Sequence, residues 1–183
     1  LMSLYDSLFT AHDVSCSQLL VTKEDFKSDR RVENMKYSLE AQCKAGLIPI
    51  INENDAISAN EGYTEPGIFS DNDSLAALIA SNVGAELLLI LTDVNGLYDR
   101  PPSKEGAKLI EILHPRVWEE SKESGMKNQQ IGQKSSQGRG GMEAKINAAI
   151  SALDGGVSNV IVVNGRVPNT LVKACYGENV GTL

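Results

Sequence analysis

Apolar residues in this chain fall alternately into helical periods and short continuous runs, the pattern of strands separated by helices. Residues 1–10 carry a helical period. A short strand is predicted at 18–22, and a helix at 29–45, opened by Ser28 or Asp29 and stopped by Gly46. Leu47-Ile48-Pro49-Ile50-Ile51 is an unbroken apolar run, which suits a buried parallel strand; Pro49 puts it near an edge or at a strand start. Gly62, Pro66 and Gly67 make 60–69 a loop or hairpin.

The same alternation continues downstream. Residues 71–83 read as a helix with an Asp-Asn-Asp-Ser opening and Gly84 beyond its end. Glu86 to Leu91 is the clearest buried strand, and Asp93-Val94-Asn95-Gly96 then predicts a tight turn. Residues 100–108 are polar with two prolines, hence a surface loop before a short element at 109–113. The Gly/Ser/Lys-rich stretch 118–137 predicts a mobile segment. A helix at 141–153, a strand at 160–163 and a helix at 168–176 complete the chain. The pattern predicts an α/β layered fold with a mainly parallel sheet, within one domain. Ligands in such sheets sit at the carboxyl ends of strands.

Composition narrows the partners. The apolar fraction of 42% and charged fraction of 22% are those of a globular protein, and 183 residues suffice for a sizeable core. A net charge of -7 argues against a nucleic-acid partner, because phosphate backbones demand a basic face. No apolar run approaches the roughly 20 residues of a membrane span. Cys16, Cys43 and Cys175 are odd in number and far apart, which argues against a disulfide framework and a zinc site. The helical period begins at Leu1 with nothing ahead of it to cap it, so the chain is expected to be a fragment lacking its first elements.

Polar clusters mark strand ends and helix starts. Asn52-Glu53-Asn54-Asp55 follows the 47–51 strand, with more polar groups than an Asx turn requires. Ser70-Asp71-Asn72-Asp73-Ser74 opens an apolar helix; capping explains one carboxylate, and the second is left to bind an amino group or orient a lysine. Thr92 and Asp93 follow the most hydrophobic strand. Ser136-Gln137-Gly138-Arg139-Gly140-Gly141-Met142-Glu143-Ala144-Lys145 is a glycine-rich loop running into a helix. Loop amides, a helix start and a lysine one turn inside suit an anion such as phosphate, although a plain flexible loop has the same composition. The spacing fits neither the P-loop nor the dinucleotide fingerprint. His12 and His114 stand alone, without a nucleophile.

Together, Ile-Asn-Glu-Asn-Asp at 51–55, Ser-Asp-Asn-Asp-Ser-Leu at 70–75, Leu-Thr-Asp-Val-Asn-Gly-Leu-Tyr at 91–98 and Gly-Arg-Gly-Gly-Met-Glu-Ala-Lys at 138–145 resemble the glutamate 5-kinases of the amino-acid kinase superfamily. The closing Val-Gly-Thr-Leu at 180–183 is similar to the end of that kinase domain. Arg139 stands where free-standing bacterial members typically have Thr. The loop is most similar to the kinase half of bifunctional Δ1-pyrroline-5-carboxylate synthases, and the long polar segment before it resembles the animal enzyme.

The resemblance implies a three-layer αβα sandwich, amino-acid kinase fold, whose N-terminal elements, including a lysine strand, precede this chain. It implies ATP-dependent phosphorylation of the L-glutamate γ-carboxylate to γ-glutamyl phosphate, the first step toward proline and ornithine, with the fragment alone inactive. Asn52, Asp55, Asp71 and Asn72 would bind glutamate. Asp73 would orient the catalytic Lys145. Thr92, Asp93, Gly138, Arg139, Gly140, Gly141 and Lys145 would hold the nucleotide. ATP and Mg²⁺ are implied as cofactors, the magnesium held chiefly by ATP oxygens rather than by a protein metal site. A homo-oligomer, a C-terminal reductase domain and a mitochondrial location, or otherwise a cytoplasmic one, are further implications. The alternatives are a related kinase acting on acetylglutamate, aspartate or carbamate, and a non-catalytic metabolite-binding or assembly module. The chemistry is consistent with the resemblance: a glutamate side chain with pKa about 4.3 is already an ionised nucleophile at neutral pH and needs no general base.

Overall fold

The computed structural model describes residues 2–54, 71–123 and 141–183. The chain forms two compact units, Leu1–Leu75 and Ala76–Leu183. Both are α/β, and each holds one parallel strand pair among the described residues.

In the first unit, helix α1 (Met2–Thr10) leads into β1 (Ser15–Val21), and a single 3-10 turn (Lys23–Phe26) precedes α2 (Asp29–Lys44) and β2 (Leu47–Glu53). β1 and β2 pair in parallel from Ser15 opposite Leu47 to Val21 opposite Glu53. The helix between them is the crossover that a parallel pair requires. α2 lies against β2, burying Met35 and Leu39, four positions apart and therefore on one helical face. Thr22 starts the 3-10 turn: its N–H and its hydroxyl both donate to Asp25 Oδ2, at 2.7 and 2.8 Å.

Two expectations for this unit are corrected. β1 begins three residues before Gln18, because Ser15, Cys16 and Ser17 pair with Leu47, Ile48 and Pro49. β2 runs on through Asn52 and Glu53, so the first polar cluster starts inside the strand. Pro49 sits within β2, opposite Ser17, on a strand that is an edge of its two-stranded sheet among the described residues, the first of the two places expected for it. Asp55 and the loop at 60–69 lie outside the described residues.

Helix α3 (Asn72–Val83) runs through the division between the units. In the second unit, β3 (Leu87–Thr92) pairs in parallel with β4 (Asn159–Asn164), Leu87 opposite Asn159 and Thr92 opposite Asn164. Between them come an isolated antiparallel bridge from Tyr98 to Leu109, helix α4 (Pro115–Glu123) and helix α5 (Met142–Asp154). Helix α6 (Thr170–Cys175) follows β4 and packs on it.

The core of this unit joins Ala77 and Ala80 of α3, Ile90 of β3, Ala148 and Ala152 of α5, and Val160 and Val162 of β4. Alanines on both helices let their backbones approach the β-branched sheet face closely. A second cluster joins Leu97, Trp118 and Ile146.

Here too some expectations shift. The stretch from Trp118, predicted to be mobile, is helical as far as Glu123, because Trp118 is buried and anchors α4. Residues 124–137 lie outside the described residues. Leu109 to Leu113 form no regular element; Ile110 N–H donates to Leu97 O, and Leu113 N–H to Leu183 O. The final helix is shorter than predicted, starting after Asn169. No helix among the described residues is long and apolar enough to cross a membrane.

Candidate functional site

The first unit carries the acidic and amide residues. Asn52 and Glu53 end β2, both half-buried. Asn54 N–H donates to Val21 O at 2.8 Å and extends the ladder by one bond. Because the pair is parallel and in register, these residues share one sheet end with Leu20 and Val21.

Asp71 has a definite structural task. Its Oδ1 accepts the Ser74 N–H at 2.8 Å and the Ser74 hydroxyl at 2.9 Å, and its carbonyl accepts the Leu75 N–H at 3.1 Å. It therefore caps α3 and satisfies an otherwise orphan amide. Asn72 is exposed and Asp73 half-buried, both in the first turn, where a carboxylate is favoured by the helix dipole.

The second unit carries the residues suited to phosphate. Thr92 ends β3; its carbonyl accepts the Gly165 N–H at 2.9 Å. Asp93, exposed, follows, with its Oδ1 3.5 Å from the Thr92 hydroxyl. Asn164 Nδ2 donates to Asn95 Oδ1 at 2.9 Å, tying the end of β4 to the segment after β3. Gly141 is the extended residue before α5, and its carbonyl accepts the amides of Ala144 and Lys145 at 3.0 and 3.3 Å. Gly141 has no side chain to cap α5, and a helix start carries the partial positive charge that suits an anion. Lys145 stands four residues into that turn.

Topology brings these two groups to one end of the unit. α5 feeds β4 through a short connection, and its 13 residues rise ~20 Å, about the length of the six residues of β4. The α5 start thus returns to the level of the strand carboxyl ends. The packing agrees: Ile146, next to Lys145, is buried against Leu97, which follows β3. Thr92, Asp93, Gly141 and Lys145 therefore border the same end of the β3–β4 pair.

Gly138, Arg139 and Gly140, like Asp55, lie outside the described residues. Asn52, Asp71, Asn72 and Asp73 belong to the first unit, and Thr92, Asp93, Gly141 and Lys145 to the second. Among the described residues no group of three His, Cys, Asp or Glu side chains gathers to hold a metal ion. Sequence reasoning missed Asn164, although a polar residue closing an apolar strand is the same signal that singled out Asn52.

Comparison with known proteins places the chain in a family. The amino acid kinase family model matches residues 1–164. Delta-1-pyrroline-5-carboxylate synthase 1 of Oryza sativa subsp. japonica is 44% identical over 185 residues, covering 100% of this chain and 25% of that protein. Glutamate 5-kinase of Thermoanaerobacter sp. (strain X514) is 40% identical over 184 residues, covering 100% of this chain and 46% of that protein. The chain thus spans less than half the length of either relative. Among solved structures, UMP kinase from Bacillus anthracis aligns with a TM-score of 0.55 at 18% identity, over 91% of this chain and 57% of that one, a likeness of fold alone. With nine-tenths of its length matched, this chain belongs to the amino acid kinase family.

Proposed function

We propose that the protein containing this chain transfers the γ-phosphoryl group of ATP to the γ-carboxylate of L-glutamate, giving γ-glutamyl phosphate and ADP. The observation that carries the reading is full-length alignment of this chain with a protein named glutamate 5-kinase, at 40% identity. A protein named Delta-1-pyrroline-5-carboxylate synthase 1, at 44%, points to the same route. The margin between the two does not separate a free-standing from a bifunctional enzyme. Both units are taken as parts of one kinase domain, since the family match crosses their division. Assembly as a homo-oligomer and residence in mitochondria rest on the sequence resemblance alone.

In this mechanism a γ-carboxylate oxygen attacks the γ-phosphorus as the bond to the β,γ-bridging oxygen breaks, and ADP leaves with the electron pair. The carboxylate is ionised at neutral pH, so no proton has to be removed. What the protein supplies is alignment and positive charge. Lys145, the amides at the start of α5 and the loop glycines Gly138, Gly140 and Gly141 hold the phosphates, with Arg139 beside them. Thr92 and Asp93 meet the nucleotide. Asn52, Asp55 and Asn72 fix the amino-acid end of glutamate, Asp71 stands on the same rim, and Asp73 orients the lysine. Oxygen ligands suit magnesium, which keeps waters and nucleotide phosphates around it; when bound it draws charge from the transferring group.

The test is ADP release by the full-length protein against a panel of acceptors. L-glutamate is expected to be the preferred acceptor, ahead of N-acetylglutamate, aspartate and carbamate. Preference for another member of the panel overturns the assignment of substrate.

A further inference from the structure

Thr182 uses every hydrogen-bonding group it has. Its N–H donates to Val162 O at 3.0 Å, and its carbonyl accepts the Val162 N–H at 2.8 Å. Its Oγ1 accepts the Leu97 N–H at 2.8 Å and donates to Ile110 O at 2.6 Å. The residue is 4% exposed, so water is not a ready substitute for these partners. One residue therefore meets β4 through its backbone, and the segment after β3 and the chain at Ile110 through its hydroxyl.

The backbone around it leaves no slack. Gly96 has φ 143°, and a Cβ there would lie 2.6 Å from Thr182 Oγ1. Gly181 has φ 75°, and a Cβ there would collide with the Val162 carbonyl. Both positions demand glycine for conformation and for space.

The segment held this way is the one that carries Thr92 and Asp93. It is fixed at three points: Thr92 O by the Gly165 N–H, Asn95 by the Asn164 amide, and Leu97 N by the Thr182 hydroxyl. We infer that Thr182 is a positioning residue for nucleotide binding, holding the 92–97 segment in register with the start of α5, and that Asn164 serves the same segment from β4. The inference rests on the reading of this end of the second unit as the ATP rim. Neither residue touches the nucleotide in this account; both act through the backbone that does.

The experiment compares T182V, T182S and N164A in the full-length protein, with Mg-ATP binding measured by calorimetry and both KM values by ADP release. T182V keeps the shape and loses the hydroxyl, so Kd and KM for ATP rise roughly tenfold while KM for glutamate stays within about twofold. T182S, which keeps the hydroxyl, restores ATP affinity to within about threefold of the parent. N164A, at an exposed bond, produces a smaller rise of the same kind and serves if T182V does not fold. Parental ATP affinity in a folded T182V, or equal losses for both substrates, overturns the positioning role; if T182V does not fold, parental ATP affinity in N164A overturns it. A parent protein that binds no ATP overturns the kinase reading itself, and this proposal with it.

Discussion

The Trp118 indole N–H donates to Asn147 Oδ1 at 3.2 Å, two residues along α5 from Lys145. Trp118 is buried with Leu97 and Ile146, so α4 braces both the segment after β3 and the first turns of α5. Replacing Trp118 by Phe keeps most of the ring and removes the donor. The expected loss is about 1 kcal/mol of unfolding free energy, against ~3–5 kcal/mol for Ala, where a cavity is added. Urea denaturation measures both, and equal effects of the two substitutions would show that the hydrogen bond, not the packing, dominates.

The Asp71 carboxylate caps α3 through Ser74. Asp71→Ala therefore costs about 1 kcal/mol, and Asp71→Ser, another good cap, recovers most of it. Kinetics separate capping from substrate binding. If Asp71 also lies on the glutamate rim, the Ser variant is stable yet has a raised KM for glutamate. An unchanged KM assigns the residue to the helix alone.

Asp99 closes the 99–108 loop. Its Oδ1 accepts the Lys108 N–H at 2.9 Å, the main cause of a carboxyl pKa held below its ordinary 3.8; the Arg100 guanidinium, 3.1 Å from Oδ2, adds to it. The ionised form is favoured in the folded state, so its stabilising contribution is fully present above the ordinary value. It is lost as pH falls through the lowered folded value. The stability gap between the parent and Asp99→Asn is thus expected to be constant from neutral pH down to about 4 and to shrink below it. Urea midpoints across that range test this, and a gap independent of pH contradicts it.

Much of the fold was legible because burial periods are local. The helices at 29–44 and 142–154 and the strands at 87–92 and 159–164 were found within a residue or so of their ends. What failed depends on partners far along the chain. Ser15-Cys16-Ser17 has no apolar signal, and becomes strand only because Leu47 to Pro49 pair with it. Helix α4 is mostly polar, and one buried tryptophan holds it. The candidate site divides the same way. Residues at strand ends and helix starts, such as Asn52, Asp73, Thr92 and Lys145, are visible from local pattern. Thr182 grips Leu97 from 85 positions away, a bond that no local pattern announces.

Lys145 is the cation this account places against the phosphates, and its backbone sits one turn inside α5. Lys145→Ala in the full-length protein is expected to lower kcat by roughly 100- to 1,000-fold, with Lys145→Arg intermediate. Unfolding curves for the variants separate a loss of turnover from a loss of stability. A variant with parental kcat removes Lys145 from the mechanism.

The shared-end geometry of Thr92, Asp93, Gly141 and Lys145 matters only if an acyl phosphate is made. Hydroxylamine trapping of the full-length protein's product reads that directly. γ-Glutamyl hydroxamate that requires both ATP and L-glutamate, and falls away with Lys145→Ala, is the expected result. No hydroxamate from glutamate, or as much from the Ala variant as from the parent, would contradict it.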